Sequence, residues 1–130
     1  MDNPVYYVQY AHARVAALVR RAKEQGIPLP EKTPPEILAR LDSRTELLLL
    51  RQLAAFEETV TRSAAAMSPY QISKYLLNLA GLMHGYYARQ QILSPDDPDG
   101  ARARMALLSA CAQTIRNGLF LLGVSAPDVM

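Results

Sequence analysis

The sequence is poor in the residues that most often carry chemistry: its 130 residues include one cysteine, two histidines, two phenylalanines and no tryptophan. A lone cysteine, Cys111, excludes an internal disulfide. His12, His84 and Cys111 fall short of the four ligands of a structural zinc site, and their spacing matches no zinc motif. No stretch of 18 apolar residues is free of charge, and no basic region followed by a short apolar segment opens the chain. Neither a membrane span nor a secretory signal is expected, which points to a soluble, cytoplasmic protein. Period-two alternation is missing as well, so no strand precedes a glycine-rich phosphate loop. The acidic residues are scattered and suggest no paired-carboxylate site. Catalysis by this chain alone is not expected. Charge of one sign is also scarce: 14 Lys+Arg against 12 Asp+Glu leave +2, which on its own argues against nucleic acid as a partner.

What is present is helical punctuation. Half of the residues are hydrophobic, and a chain of this length buries roughly two-thirds of its unfolded surface, enough for one domain over residues 1–130. Asn3-Pro4 opens a first helix that Gly26 ends, because Asn accepts from an orphan backbone N–H and Pro suits the first turn. Thr33-Pro34-Pro35-Glu36 and Ser43-Arg44-Thr45-Glu46 have capping-box spacing and start a short and a long helix. Ser68-Pro69-Tyr70-Gln71 repeats the signal, and Asp97-Pro98 opens a last helix that stops near Gly123. The expected fold is all-α, a bundle of about five helices. Leu49, Leu53, Phe56, Val60, Ala64 and Met67 form one core stripe, and Met105, Leu108, Ala112, Ile115, Leu119 and Leu122 another. Residues 27–32 and 94–99, each with two prolines, are rigid connections within the bundle.

Divided by segment, the charge is less bland. Residues 1–30 and 68–93 each carry +2, and the two remaining segments each carry −1. All seven tyrosines, at positions 6, 7, 10, 70, 75, 86 and 87, fall in the two positive segments. Tyrosine offers an unpaired base a flat face and a hydroxyl, while Arg and Lys hold the backbone. On a helical wheel Val8, Ala11, His12, Val15, Leu18, Val19 and Ala22 share the core face of the first helix, and Tyr7, Tyr10, Arg14 and Arg21 form a stripe beside it. That stripe suits a stacking platform with phosphate anchors, and equally a set of half-buried bundle residues. In the fourth helix Ile72, Leu76, Leu79, Met83 and Tyr86 point to the core. Lys74, Asn78, Gly81, Gly85 and Arg89 gather opposite, and the two glycines give up about 1 kcal/mol of helix propensity each. A close neighbour is expected there, another helix before a ligand or an RNA backbone.

The string Asn3-Pro4-Val5-Tyr6-Tyr7-Val8-Gln9-Tyr10-Ala11-His12-Ala13-Arg14 resembles the segment that opens the C-terminal anticodon-binding domain of arginyl-tRNA synthetases. Leu82-Met83-His84-Gly85-Tyr86-Tyr87 is similar to that domain's aromatic His-x-aromatic-Tyr segment, and Leu121 to Met130 to its end. Leu82 and Met83 stand where the family usually has an aromatic, and Arg89 where an asparagine often follows. The resemblance implies a helical bundle that binds the anticodon stem-loop of arginine tRNA and delivers the acceptor end to a separate class I catalytic domain. That domain would use ATP and magnesium, and this one no cofactor. Neither an ATP-site signature nor a Lys-Met-Ser-Lys loop is found, so we expect a C-terminal part of a longer enzyme, monomeric, with Met1 an added start or an internal residue. By the same resemblance Tyr7 and Tyr10 face the anticodon loop, Tyr86 or Tyr87 contributes from the fourth helix, and Met130 lies near a base. The wheel buries Tyr86 and favours Tyr87. Arg14, Arg21, Lys74 and Arg89 are the expected phosphate anchors. A helical protein-interaction module, docking a partner helix or a catalytic domain on the glycine strip and tyrosines, is the alternative. The related helical domain of the glycine enzyme's β subunit is a more distant one.

Overall fold

A computed structural model describes residues 3–29 and 32–130. Met1 and the charges of Asp2 and Glu31 lie outside the described residues, as does Pro30 of the first linker. The described residues form six helices and no strand: α1 (Pro4–Glu24), α2 (Pro35–Leu38), α3 (Arg44–Ala54), α4 (Phe56–Ala65), α5 (Tyr70–Arg89) and α6 (Pro98–Leu121). None is long and apolar enough to cross a membrane.

Local signals set most boundaries. Asn3 Oδ1 accepts from the Tyr6 N–H at 3.0 Å, and Asp97 Oδ1 from the Gly100 N–H at 3.1 Å. Ser43 and Glu46 form a reciprocal capping box, each accepting the other's backbone N–H. Gly26 and Gly123 take the left-handed conformation (φ +70° and +75°) and end α1 and α6. The expected box at Thr33 is not formed: α2 starts behind Pro34 with no side-chain cap.

The expected long third helix is two helices. The Tyr75 hydroxyl on α5 donates to the Gln52 carbonyl, which also receives the Ala55 N–H at 3.2 Å, and the chain turns at Ala55. A side chain inserted at a helical carbonyl is a recognised cause of such a break. The supposed core stripe along this segment is corrected accordingly. Leu49 is fully buried and Leu53, Phe56 and Val60 are half-buried, but Ala64 is exposed and Met67 is 93% exposed. Met67 instead closes α4 with φ +52°, while the Ser68 N–H reaches back to the Ser63 carbonyl at 3.1 Å.

Helices α1, α5 and α6 pack on one another, α3 lies against α5 and α6, α4 on α5 and α2 on α6. Leu49, Leu76, Leu79, Met105, Leu108, Cys111 and Ile115 are the largest fully buried side chains. Burial pushes the Cys111 thiol up to about 12. The stripe of the last helix is the core-facing one, with Leu122 half-buried at its end. The close approach expected at Gly81 and Gly85 is found elsewhere. A Cβ on Gly85 meets nothing within 4 Å and one on Gly81 meets only the Tyr7 hydroxyl of α1 at 3.5 Å, so α1 reaches the strip through one side chain and makes no close backbone approach there. Helix α6 packs tightly on α5 at Gly118, where a Cβ would lie 2.6 Å from Leu76 Cδ2.

Two tyrosines belong to this framework. Tyr75 is buried, and Tyr86, 3% exposed, donates to Glu46 Oε2 at 2.6 Å. Burial pushes the Glu46 carboxyl up, but hydrogen bonds from Tyr86 and Ser43 outweigh it and hold the group below the usual carboxylate range. The same contact ties the capping box of α3 to α5 and removes Tyr86 from any surface role.

Candidate nucleic-acid interface

Where α1 and α5 run side by side, five aromatic rings cluster and end on one guanidinium. Tyr6 and Tyr10, one turn apart on α1, are stacked with centroids 6.0 Å apart. Tyr10 continues onto the His84 ring of α5 at 5.5 Å, and Tyr7 lies tilted against the same ring at 4.7 Å. Arg14, one turn beyond Tyr10, places its guanidinium carbon 3.7 Å from the Tyr87 centroid and 5.3 Å from that of Tyr10. Tyr6 and Tyr10 stay exposed while Tyr7, Arg14, His84 and Tyr87 are half-buried. The helical period puts positions 6, 10 and 14 in one row, and the small Gly81 admits the Tyr7 hydroxyl beneath it.

His84 holds the two helices in register. Its Nδ1 lies 2.9 Å from Arg14 Nη1 and its Nε2 3.1 Å from the Tyr7 carbonyl. A guanidinium can only donate and a carbonyl can only accept. The ring is therefore neutral, bare at Nδ1 and protonated at Nε2. Burial pulls its pKa down, the Tyr7 carbonyl partly restores it, and the Arg14 charge lowers it again, for a net value below an ordinary histidine's.

The segment after α6 returns across α1. Gln9 Nε2 donates to the Ser125 carbonyl at 2.9 Å, His12 Nδ1 to the Pro127 carbonyl at 3.1 Å and Arg20 Nη1 to the Asp128 carbonyl at 3.3 Å. Arg116 donates to His12 Nε2 at 3.2 Å and lies 3.7 Å from Asp128 Oδ1. The strap leaves an open cleft of about 230 Å³, lined by Tyr10, Arg14 and Arg20 of α1, Tyr87 of α5, and Asp128, Val129 and Met130.

Four of the eight residues picked from sequence, Tyr10, Arg14, Tyr87 and Met130, thus line one cleft, and Tyr7 supports it from below. Arg21, Lys74 and Arg89 are exposed but do not line it. Arg21 lies about 10 Å along α1 from Arg14, and Lys74 about 20 Å along α5 from Tyr87, at 1.5 Å per residue. Sequence reasoning gives no role at the cleft to Tyr6, His84 or Arg20, nor to Gln9, His12 and Arg116, which hold the strap. His84 was visible only as part of a motif, since its partners are 70 and 77 positions away. Chemically the cleft offers flat aromatic faces, a delocalised cation and an apolar methionine, which suit unpaired bases better than an ion or a small polar substrate. Among the described residues no three His, Cys, Asp or Glu side chains cluster as metal ligands.

Comparisons with known proteins bear on the same region. A family model described as the DALR anticodon binding domain matches residues 8–130. An arginine–tRNA ligase of Desulfovibrio desulfuricans is 52% identical over 130 residues, covering 100% of this chain and 24% of that protein. One of Listeria monocytogenes is 43% identical over 129 residues, covering 99% and 23%. The chain spans about a quarter of the length of these curated relatives. Among solved structures, the Thermus thermophilus arginyl-tRNA synthetase superposes with a TM-score of 0.76 at 32% identity, over 95% of this chain and 21% of that one.

Proposed function

The chain belongs to the DALR anticodon-binding domain family, and from that membership we propose that it binds the anticodon stem-loop of arginine tRNA through the cleft between α1, α5 and the strap. The observation that carries the reading is the Tyr6–Tyr10–His84 ladder running into the Arg14–Tyr87 pair, with Met130 across from it. Unpaired loop bases stack on Tyr10 and Tyr87, Tyr7 buttresses them, and Met130 closes the cleft. Arg14 acts mainly as a cation held flat on Tyr87, while Arg21, Lys74 and Arg89 meet phosphates on the flanks. Each stacked base contributes about 1–3 kcal/mol, and the phosphate contacts make affinity fall with salt. In the whole enzyme, a cytoplasmic monomer, the bound tRNA presents its acceptor end to a catalytic domain that carries ATP and magnesium.

Titrating an arginine-tRNA anticodon stem-loop into the wild type and the Tyr10→Ala, Tyr87→Ala double variant tests this. A loss of roughly 5- to 150-fold per base is expected. Equal affinity with both proteins folded by circular dichroism refutes it.

A second observation favours a protein-facing surface away from the cleft, on α3. Leu47, Leu48 and Leu50 of α3 are exposed, next to a groove lined by Leu38, Leu41, Leu53 and Met105. That surface suits the catalytic domain of the same enzyme. It predicts concentration-dependent self-association of the isolated chain, relieved by Leu47→Ser with Leu50→Ser.

A further inference from the structure

We propose that His84 is a positioning residue of the binding cleft, a proton-sensitive clamp whose neutral Nε2–H form holds Arg14 flat on Tyr87 and whose protonation releases it. The inference rests on the anticodon reading for its RNA consequence and on geometry alone for the clamp.

Two bonds make the clamp. Nδ1 accepts from Arg14 at 2.9 Å and Nε2 donates to the Tyr7 carbonyl at 3.1 Å, so one ring joins the half-buried cation of α1 to the backbone of the same helix, from the far side of the α1–α5 seam. Tyr7 and Tyr10 lie against its faces at 4.7 and 5.5 Å, which leaves the ring little freedom to turn. Arg14 is thereby fixed from two sides, by the hydrogen bond and by the Tyr87 ring at 3.7 Å.

A proton on Nδ1 removes the acceptor and places an imidazolium 2.9 Å from a guanidinium in a partly desolvated seam. Arg14 cannot give up its own charge to relieve the conflict. The titratable and charged groups that face the ring are Arg14, Tyr7 and Tyr10 of α1 and Tyr87 of its own helix, and none is a carboxylate able to stabilise the imidazolium. The guanidinium must therefore swing away from Tyr87, which opens the wall on which a base stacks. Glutamine is the informative substitute, since its amide can accept from Arg14 and donate to Tyr7 but does not titrate.

The test has two arms on the full chain. In the first, nitrogen-15 NMR without RNA is expected to show a bare Nδ1 and a protonated Nε2 for His84 at pH 7.5, and acidification to move the Arg14 guanidinium and Tyr87 ring resonances in the wild type but not in His84→Gln. The opposite tautomer, or Arg14 and Tyr87 resonances that stay fixed while His84 titrates, overturns the clamp. In the second, the stem-loop is titrated between pH 5.5 and 7.5. His84→Ala is expected to bind about tenfold more weakly at pH 7.5, His84→Gln to recover most of that loss, and the wild type to lose affinity on acidification more steeply than His84→Gln. Parallel pH profiles for wild type and His84→Gln overturn the coupling to RNA. A stem-loop that binds no variant at any pH, with the nitrogen signature as expected, refutes the anticodon reading and leaves the clamp supported.

Discussion

The guanidinium of Arg14 lies 3.7 Å from the centre of the Tyr87 ring, so that a cation of α1 and an aromatic of α5 form one continuous wall. Planarity is essential here, because a guanidinium can stack on the ring and still direct an N–H at His84, whereas an ammonium is a compact, strongly hydrated point charge. Arg14→Lys keeps the charge and is expected to cost about 1 kcal/mol of stability and to weaken stem-loop binding. Urea denaturation and a binding titration check the two effects separately. Unchanged values in both would mean that the charge alone matters.

Two glycines in neighbouring helices should respond to alanine with opposite signs. Gly85→Ala adds a methyl where nothing lies within 4 Å and should stabilise by up to about 1 kcal/mol through helix propensity. Gly118→Ala drives the same methyl to 2.6 Å from a Leu76 that is fully buried and cannot yield. Overpacking of about 1–3 kcal/mol outweighs the propensity gain there. Midpoints from thermal melts decide both signs.

Met67 is a non-glycine residue at φ +52° whose side chain is in water. Met67→Gly removes the steric conflict between Cβ and carbonyl without losing any core contact, and should raise stability by roughly 0.5–1 kcal/mol, net of the extra freedom of the unfolded glycine. A lower midpoint would show that the methionine is held by contacts stronger than its strain.

Stability should fall with acid in two windows. The folded-state pKa of His84 is depressed. The unfolded chain therefore binds the proton first, and stability present above about 6.5 is lost as pH falls through the folded value. The Glu46 carboxyl is depressed as well, so its contribution is present above the ordinary glutamate pKa and is lost only as pH falls further, through its folded value. Urea midpoints measured against pH should show the upper slope vanish in His84→Gln and the lower one flatten in Glu46→Gln. Identical profiles in all three proteins would contradict the assignment.

The parts of the fold that could be read from sequence are those set by neighbours along the chain. Asn3, Ser43 with Glu46, Asp97, Gly26 and Gly123 act within five residues of themselves, and each sits where its chemistry places it. The break at Ala55 was hidden because its agent, the Tyr75 hydroxyl, comes from another helix. Gly118 carries no signal in the sequence for a similar reason: what makes its missing side chain necessary is Leu76, 42 positions earlier. The row of Tyr10 and Arg14 was legible as periodicity, but charge counted by segment cannot locate charge on a surface. The helical wheel adds Arg21 to that row and charge sign adds Lys74 and Arg89, and the structure sets all three apart from the cleft.

The strap also couples the cleft to the bundle beneath it. Gln9, His12 and Arg20 of α1 hold Ser125, Pro127 and Asp128 across more than a hundred residues. Val124 and Ala126 pack on the bundle core and the Val124 N–H reaches the Leu119 carbonyl of α6 at 2.9 Å, while Asp128, Val129 and Met130 make one wall of the cleft. Deleting residues 128–130 would therefore remove that wall while leaving Val124 and Ala126 on the core. Through the strap, packing of the core and completion of the cleft become one event, because the same short segment takes part in both.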